Sequence, residues 1–416
     1  MKKLFVLMLS LMVIFGIVAG CTPKPKTEGA VITLAQGKPE IDDQLKAYAA
    51  AYEEATGIKV NIVSCGGDAC SLGTLLTGEY QAGTMPDIFQ ISGIEAYNDW
   101  KDIILPLDGE KWVKDTSVAF KVDGKVVGFP IAVEGWGLAY NKDMLDAAGI
   151  DPATLVNFAA YEEAFAKLDA MKDELGIDSV VSMAAGPDMG WVVAHHNFNT
   201  LLSGGLAYGD LSVAEALLAG DIDEARIGEY GKWVDLLFRY ADKKVLTTGG
   251  YGDQVGAWTS EKAVFCHQGN WIDGDVAGAG ATFAMGFAPH GAYSTDTDGI
   301  FADTPGWYVI NKDSENVAAA KKFLEDLVYT EAGNKYMVEE AGMIPAFGNI
   351  KLTPSGALST SVQKFVGEGK VYGWYQYNFS DEFRDTVLAP IYNQLANGKI
   401  DADQFVAELI KAFKNR

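Results

Sequence analysis

The segment from Val31 to Val63 carries the strongest indication of fold class. Val31–Leu34 is a short apolar run, and Ile58–Val63 alternates apolar and polar residues as strands do. Between these two runs, apolar residues recur at helical spacing at Ile41, Leu45, Tyr48, Ala49 and Tyr52, and Gly57 ends that helix. Because a strand, a helix and a strand in this order build a parallel sheet, we predict an α/β fold.

The rest of the chain extends this pattern over 416 residues, which is long enough for two to three core-forming units at roughly 150 residues each. We predict a further strand at Asp87–Phe89 and amphipathic helices at Tyr161–Leu175, Ile227–Tyr240, Val317–Leu327 and Ala402–Phe413, with Ser314 as a candidate helix cap. No linker rich in proline and serine separates independent domains. We therefore expect lobes that are assembled from discontinuous segments.

The N-terminus predicts an exported protein. Lys2 and Lys3 precede the apolar run Leu4–Val18, which is too short for a spanning helix of about 20 residues and is typical of a signal peptide. The run ends in Val-Ala-Gly before Cys21, which resembles a bacterial lipobox in which that cysteine is lipidated. A plain signal peptide cleaved near Ala19 is the alternative.

On the lipobox interpretation, residues 1–20 are the leader and 21–29 are a tether. The tether holds two prolines and no apolar side chain between Thr22 and Gly29, which suits an extended segment. We expect the mature protein on the outer face of a bacterial cytoplasmic membrane, attached through Cys21 alone.

Charge and motif content exclude several classes of function. Lys and Arg number 33 against 56 Asp and Glu, and the net charge of −23 argues against nucleic acid or an anionic membrane surface as the main partner. The sequence has no GxxxxGK[ST] phosphate loop, and an exported protein has little access to cytosolic ATP or NAD. Four cysteines are too few for a disulfide scaffold. We expect no cofactor.

Short motifs along the chain resemble those of the extracellular sugar-binding proteins of ABC importers, the family that includes the maltose-binding proteins. In the family's order they are Met85–Phe89, Gly124–Glu134 with Leu138–Asp143, Ala263–Phe265 with Gly269–Trp271, Ile310–Leu324, and Gly342–Ala346. They cover roughly residues 30–350, and the tail from Lys370 resembles the family only loosely.

The resemblance implies a type II periplasmic-binding-protein fold, with two α/β lobes, a hinge and a cleft between the lobes. It places the N-lobe at 30–132 plus 308–342 and the C-lobe at 136–303 plus 346–416. The implied hinge crossings lie near 131–135, 304–307 and 343–346. Lobes of this kind usually close around a ligand by hinge motion.

The resemblance also supplies the first candidate site residues. A sugar offers an apolar face that an aromatic ring can cover and a hydroxyl rim that needs hydrogen-bond partners. Glu134 matches a family position that accepts hydrogen bonds from sugar hydroxyls, and Trp136 shares its face if the crossing is extended. Trp271, which follows Asn270, matches a stacking tryptophan, and Trp307 falls at the second crossing.

Further candidates lie in an aromatic loop and after the first strands. They are Trp374, Tyr375, Tyr377 and Trp191 as stacking rings, and Gln36, Glu40, Asp68 and Asp87 as polar contacts. Core packing is the alternative role for each ring, and a structural role near the strand start is the alternative for Asp87. We expect the remaining tryptophans, Trp100, Trp112, Trp233 and Trp258, to be structural.

Other polar clusters carry weaker signals. Cys65 and Cys70 either form a small disulfide loop or remain reduced, and two cysteines are too few for a structural zinc site. His195–His196 has no Cys or Glu at ligand spacing. Asp296–Gly299 lacks the first ligand and the closing glutamate of a calcium loop. We therefore predict no metal site.

The leading hypothesis is non-catalytic capture of an oligosaccharide by a monomer, with delivery to permease subunits and their ATPase. The match at Pro130–Glu134 to the maltose-binding members implies an α-linked gluco-oligosaccharide such as a malto-oligosaccharide. An exported glycoside hydrolase with paired carboxylates is one alternative. A binder of another cargo, such as a polyamine held by carboxylates and aromatic rings, is a second alternative.

Overall fold

The computed structural model of this protein describes residues 29–66 and 70–416. Its strands are β1 (Val31–Gln36), β2 (Lys59–Ser64), β3 (Ile88–Ile91), β4 (Phe120–Val122), β5 (Lys125–Pro130), β6 (Glu134–Asn141), β7 (Ser179–Ser182), β8 (Ala263–Gly269), β9 (Met285–Ala288), β10 (Ile300–Asp303), β11 (Trp307–Ile310) and β12 (Val371–Tyr372).

The α-helices surround these strands. They are α1 (Asp42–Thr56), α2 (Leu72–Ala82), α3 (Ile94–Trp100), α4 (Lys142–Ala147), α5 (Phe158–Ala170), α6 (Lys172–Leu175), α7 (Phe198–Ser203), α8 (Ser212–Leu218), α9 (Glu224–Arg239), α10 (Lys243–Thr248), α11 (Tyr251–Thr259), α12 (Asp273–Gly278), α13 (Val317–Tyr329), α14 (Glu331–Lys335), α15 (Ala357–Gly367), α16 (Ala389–Ala396) and α17 (Ala402–Lys414). Within the described ranges, no helix combines the length and the apolar character needed to cross a membrane.

The strands form two sheets. The first has the order β2-β1-β3-β11-β5-β4, and the second has the order β12-β10-β6-β8-β7, with β9 also paired to β6. In the first sheet, β1 runs parallel to β2 and β3, while β11 is antiparallel to β3 and β5. We call each sheet with its packed helices a lobe. The predicted strand, helix and strand at the start of the chain are confirmed as β1, α1 and β2, and Gly57 closes α1 at φ 72°.

The chain passes between the lobes through two connections that lie close to each other. One joins β5 to β6 through residues 131–133, and the other joins β10 to β11 through residues 304–306. The Ile131 amide donates to the Gly306 carbonyl at 3.2 Å, and the Val133 amide donates to the Ile344 carbonyl at 2.9 Å. The two connections and the segment around Ile344 are therefore hydrogen-bonded to one another between the lobes.

The third passage differs from the sequence-based expectation. Ile344 touches the core of the second lobe, but Met343, Ala346, Phe347 and Ile350 pack in the core of the first lobe, and the chain leaves the first lobe only between Ile350 and α15. Phe347 lies beside Phe129, with 4.8 Å between the ring centres, which keeps this segment on the first lobe. The predicted transfer at residue 346 is therefore too early.

Two helix predictions also need correction. The helix predicted from Tyr161 to Leu175 is two helices, α5 and α6, on either side of Met171. Ser314 is not the N-cap of α13. The N-cap is Asn316, whose side chain makes no capping hydrogen bond. The Ser314 hydroxyl instead donates to Asp87 and accepts from the Asn316 amide at 2.8 Å.

Candidate functional site

A cavity of about 960 Å³ lies between the two lobes. The first lobe contributes the loop after β1 and the end of β3, the connection between β10 and β11 contributes Pro305, and the start of β6 contributes Glu134. The second lobe supplies most of the aromatic side chains. The lining residues with polar or aromatic side chains are Lys38, Glu40, Gln90, Ser92, Glu134, Asp188, Trp191, His195, His196, Tyr251, Trp271, Asp275, Trp374, Tyr377 and Asp385.

Three tryptophans surround His196 on the second-lobe side of this cavity. The ring centre of Trp271 is 6.4 Å from that of Trp191 and 6.3 Å from that of Trp374. His196 lies 5.0 Å from Trp271 and 5.4 Å from Trp374. Trp271 and Trp374 are nearly perpendicular, so the cavity offers ring surfaces in more than one plane.

The position of Trp271 depends on the glycine that ends β8. A Cβ at Gly269 would come within 2.1 Å of the Trp271 ring, so the indole folds over a position where only glycine fits. The indole nitrogen donates to Gln268 Oε1 at 2.9 Å. Backbone and hydrogen bond together fix the orientation of this ring.

Two short π-helices bring further groups to the cavity. Trp191–His196 and Phe383–Leu388 pack against each other, and they supply Trp191, both histidines and Asp385. Insertions of this kind occur often at functional sites because they change the direction of side chains on a helix.

A buried ion-pair cluster borders the same cavity. Lys38 Nζ donates to the carboxylates of Glu40 and Glu134, and the side chains of Lys38 and Glu134 are only 7% and 9% exposed. Gln36 supports the loop, because its Oε1 accepts from the Lys38 amide at 2.6 Å and its Nε2 donates to the Ser64 hydroxyl at 2.6 Å. Lys38 therefore joins the first lobe to the start of β6.

The ionisation of this cluster follows from burial and pairing. Burial opposes the charged form of Lys38, but Glu134 and Glu40 outweigh it and raise the pKa of Lys38. Burial also raises the pKa of Glu134, and the nearby Lys38 ammonium offsets part of that rise. The lysine is therefore charged at neutral pH.

His195 and His196, which also line the cavity, are neutral at neutral pH. Burial, followed by the charge of Arg384, lowers the pKa of His195, and burial lowers the pKa of His196 to well below its ordinary value. Burial acts to raise the pKa of Asp385, but the hydrogen bond with His195 and the electrostatic attraction of His195 and Arg384 together outweigh burial, so the pKa is lowered. Among the described residues, no three His, Cys, Asp or Glu side chains are grouped to hold a metal ion.

This arrangement suits a ligand with apolar faces and a rim of hydrogen-bonding groups. The rings cover apolar surface, while the carboxylates and Gln90 offer hydrogen-bond acceptors. The family model described as bacterial extracellular solute-binding protein matches residues 47–364, which is most of the chain.

The chain belongs to the bacterial extracellular solute-binding proteins. It is 26% identical over 322 residues to the maltooligosaccharide ABC transporter solute-binding lipoprotein of Streptococcus pneumoniae, covering 74% of this chain and 71% of that protein. It is 24% identical over 373 residues to the melibiose/raffinose/stachyose-binding protein of Bacillus subtilis, covering 84% of this chain and 82% of that protein.

Solved structures show the same fold at lower sequence identity. A solute-binding protein in complex with raffinose superposes with a TM-score of 0.75 at 19% identity, over 93% of this chain and 99% of that one. A sugar transporter of Bacillus licheniformis in complex with stachyose gives 0.71 at 19% identity, over 93% of this chain and all of that one. The predicted type II periplasmic-binding-protein fold is therefore confirmed.

In this solute-binding protein, the cavity brings together six of the side chains predicted from sequence. They are Glu40, Glu134, Trp191, Trp271, Trp374 and Tyr377. Tyr377 also contacts the first lobe, since a Cβ at Gly93 would come within 2.7 Å of its Cβ.

Three predicted aromatic residues lie elsewhere. Trp136 is fully buried and stacks on Phe301 with 4.3 Å between ring centres, so it has a packing role and not the predicted stacking role on a ligand. Trp307 and Tyr375 line a separate cavity of about 290 Å³, which Trp374 and Tyr377 also border. The indole of Trp307 donates to the Val118 carbonyl at 2.8 Å.

The remaining predicted polar contacts support the backbone. Gln36 is buried and holds the Lys38 loop, as described above. Asn270 is buried, accepting from the Gly135 amide at 2.8 Å and donating to the Ser359 hydroxyl at 3.0 Å. Asp87 accepts from the Thr33 amide at 2.7 Å. Asp68 and Cys21 lie outside the described residues, and Cys65 is disulfide-bonded to Cys70.

Sequence reasoning missed other side chains that line the cavity. They are Lys38, Gln90, Ser92, Asp188, His195, His196, Tyr251, Asp275 and Asp385. Lys38 follows β1 and lies two residues before Glu40, so the same strand-end argument would have found it. The two histidines were considered only as metal ligands.

We expect Asp87→Ala to lower stability without changing solute binding. The substitution leaves the Thr33 amide and the Ser314 hydroxyl without their acceptor, which should lower the free energy of unfolding by about 1–3 kcal/mol. Urea unfolding and calorimetric titration of the solute would measure the two effects, with Asp87→Asn as the milder control. If Asp87→Ala lost affinity for the solute at an unchanged free energy of unfolding, Asp87 would be a ligand contact.

Proposed function

We propose that this protein captures an oligosaccharide in the cavity between its lobes, without catalysis, and delivers it to the permease of an ABC importer. The observation that carries the proposal is a single cavity lined by Trp191, Trp271 and Trp374 together with the carboxylates of Glu40 and Glu134. Tryptophan faces suit the apolar surface of a pyranose, and carboxylates accept from its hydroxyls.

The size of the cavity favours an oligosaccharide over a single sugar. About 960 Å³ lies near the upper end of the roughly 300–1,000 Å³ range of small-molecule pockets. The named relatives bind chains of this kind, maltooligosaccharide in one case and melibiose, raffinose and stachyose in the other. We place an α-linked gluco-oligosaccharide first and raffinose-type sugars second.

Hinge closure is the motion we propose for capture. The moving lobes would be residues 30–132 with 308–350, and 136–303 with 357–416, and the connections between them would act as the hinge. Contacts across the cavity support a closed arrangement, since Lys38 of the first lobe holds Glu134 and Tyr377 of the second lobe packs on Gly93.

The location and partners complete the proposal. We infer export, lipidation at Cys21, and interaction of a monomer with permease subunits that an ATPase drives. The supporting observations are the lipobox-like sequence, the solute-binding family and the lipoprotein relative in Streptococcus pneumoniae.

Calorimetric titration tests the ligand class. We expect micromolar or tighter binding, about −8 kcal/mol or more favourable, for maltotetraose or stachyose and none for spermidine. Binding of spermidine alone would overturn the carbohydrate assignment. Incubation with maltotetraose followed by chromatography should leave the sugar intact, and sustained release of shorter products would favour a hydrolase instead.

Ligand binding should also change tryptophan fluorescence and thermal stability. We expect the emission of the protein to shift on adding the bound sugar, because Trp191, Trp271 and Trp374 border the cavity. At 100 times its Kd, a ligand adds about 2.7 kcal/mol to the stability of the folded state. A sugar that binds by calorimetry and raises thermal stability but leaves the tryptophan emission unchanged would place the site outside this cavity.

A further inference from the structure

We propose that Asp385 is a specificity-determining carboxylate, which makes the cavity select neutral or amine-bearing sugars and exclude sugars that carry carboxylates. The inference rests on the proposed function, because it names the charge class of sugar that the same cavity takes. It depends on a chain of hydrogen bonds that reaches the cavity wall from Arg384.

Arg384 and His195 fix the Asp385 carboxylate. Arg384 is 3% exposed and approaches His195 Nδ1 at 2.6 Å, and His195 Nε2 is 2.6 Å from Asp385 Oδ1. A guanidinium has only donors, so Nδ1 accepts and the proton of neutral His195 lies on Nε2, which donates to Asp385. Arg384 also pairs with Asp381, and its Nε donates to the Phe379 carbonyl at 3.1 Å.

The second oxygen of Asp385 remains open to the cavity. Its side chain is 55% exposed, and no described residue hydrogen-bonds to Oδ2. One oxygen is therefore held by His195, while the other can accept from a ligand hydroxyl or ammonium group. The two other acidic side chains of the second-lobe wall differ, since Asp275 accepts from the Tyr251 hydroxyl at 2.6 Å and Asp188 is an exposed residue of the short 3-10 helix Pro187–Met189.

The charges around the cavity have one dominant sign. Among the described lining residues the acids are Glu40, Glu134, Asp188, Asp275 and Asp385, and the one lysine or arginine is Lys38. Lys38 already pairs with Glu40 and Glu134, so its charge is not free for an anionic ligand. Like charges brought together at an interface repel strongly, whereas an ammonium group would gain from both the carboxylates and the tryptophan faces.

The test compares sugars that differ only in charge. The probes are maltotetraose, its derivative with every C6 oxidised to a carboxylate, and its derivative with every C6 hydroxyl replaced by an amine. Stachyose and its oxidised derivative form a second set. Modifying all four units of maltotetraose places a charge near Asp385 whichever way the chain lies.

In calorimetry we expect the wild-type protein to bind the carboxylate derivative at least ~10-fold more weakly than the neutral sugar, and the amine derivative at least as tightly as the neutral sugar. Discrimination is the Kd for the carboxylate derivative divided by the Kd for the neutral sugar. We expect Asp385→Asn to lower this ratio at least ~3-fold more than Asp188→Asn does. Asp188→Asn is the matched control because it removes the same charge from the same cavity at a side chain that no histidine holds. Thermal melting checks that both variants fold.

Three results would overturn the inference while leaving the proposed function intact. They are equal wild-type affinity for neutral and carboxylate sugars, equal effects of the two substitutions, and an amine derivative that binds as weakly as the carboxylate. Failure of both neutral sugars to bind would overturn the proposed function, and this inference with it.

Discussion

Replacing Lys38 with methionine is expected to lower the free energy of unfolding by about 3–5 kcal/mol, because it leaves Glu134 as a buried carboxylate without its cation. Both side chains are less than 10% exposed, so water replaces the lost partner only in part. Urea unfolding monitored by circular dichroism would measure the change. A decrease below about 1 kcal/mol would show that the pair is solvated in solution.

The double variant Lys38→Met/Glu134→Gln is the control. It removes both charges, and we expect it to recover most of the stability that Lys38→Met loses, because an amide carries no ionic desolvation cost. If the double variant is as unstable as Lys38→Met, the loss comes from packing of the lysine stem and not from the unpaired carboxylate.

The stability of Lys38→Met should also depend on pH in a defined direction. Burial raises the pKa of Glu134 in the folded state, and loss of Lys38 removes the interaction that lowers it. A carboxyl with a higher pKa in the folded than in the unfolded state binds protons more readily when folded, so stability falls as pH rises above the unfolded value of about 4.3. We therefore expect the difference in free energy of unfolding between the wild-type protein and Lys38→Met to become smaller as the pH is lowered toward 4.5.

Trp271→Ala is expected to reduce the affinity for the bound oligosaccharide by ~10-fold or more, which corresponds to about 1.4 kcal/mol of lost stacking. The ring lies over Gly269, held by Gln268, and borders the cavity beside Trp374. Calorimetry with maltotetraose or stachyose would measure the loss. Unchanged affinity would remove Trp271 from the site.

Trp307→Ala is the matched control for this experiment. Trp307 is also a half-buried tryptophan predicted from sequence, but it lines the smaller cavity of about 290 Å³. We expect its removal to leave the oligosaccharide affinity within about twofold, a change of roughly 0.4 kcal/mol. If Trp307→Ala weakens binding more than Trp271→Ala does, the smaller cavity is the principal site.

Glu134 and Trp271 were predicted because each lies in a short motif that resembles a motif of the sugar-binding family, and both border the cavity. Sequence reasoning also placed Trp136 beside Glu134 on one strand face, which period-two alternation requires. In the structure, one end of that strand face is covered by a neighbouring strand and the other end borders the cavity. Phe301 of β10 pairs with Trp136 in register and stacks on its ring, whereas Glu134 lies at the strand start and borders the cavity.

Side chains that come from distant parts of the sequence could not be assembled in this way. His195 and Asp385 are separated by 190 positions, and their hydrogen bond exists because two π-helices pack together. Periodicity predicts where a helix lies but not which other helix it meets, nor a local widening that turns its side chains. The pairing of Lys38 with Glu134 is a second example, since these residues are 96 positions apart.

Local pattern alone was sufficient to predict the α/β class, the strand–helix–strand start and the final helix, because periodic burial and helix ends depend on near neighbours in the chain. Which rings face the cavity, where the third connection leaves the first lobe, and which carboxylates remain unpaired were decided by tertiary packing. Exposure and pairing depend on the residues that fold against a side chain, and these come from remote parts of the sequence.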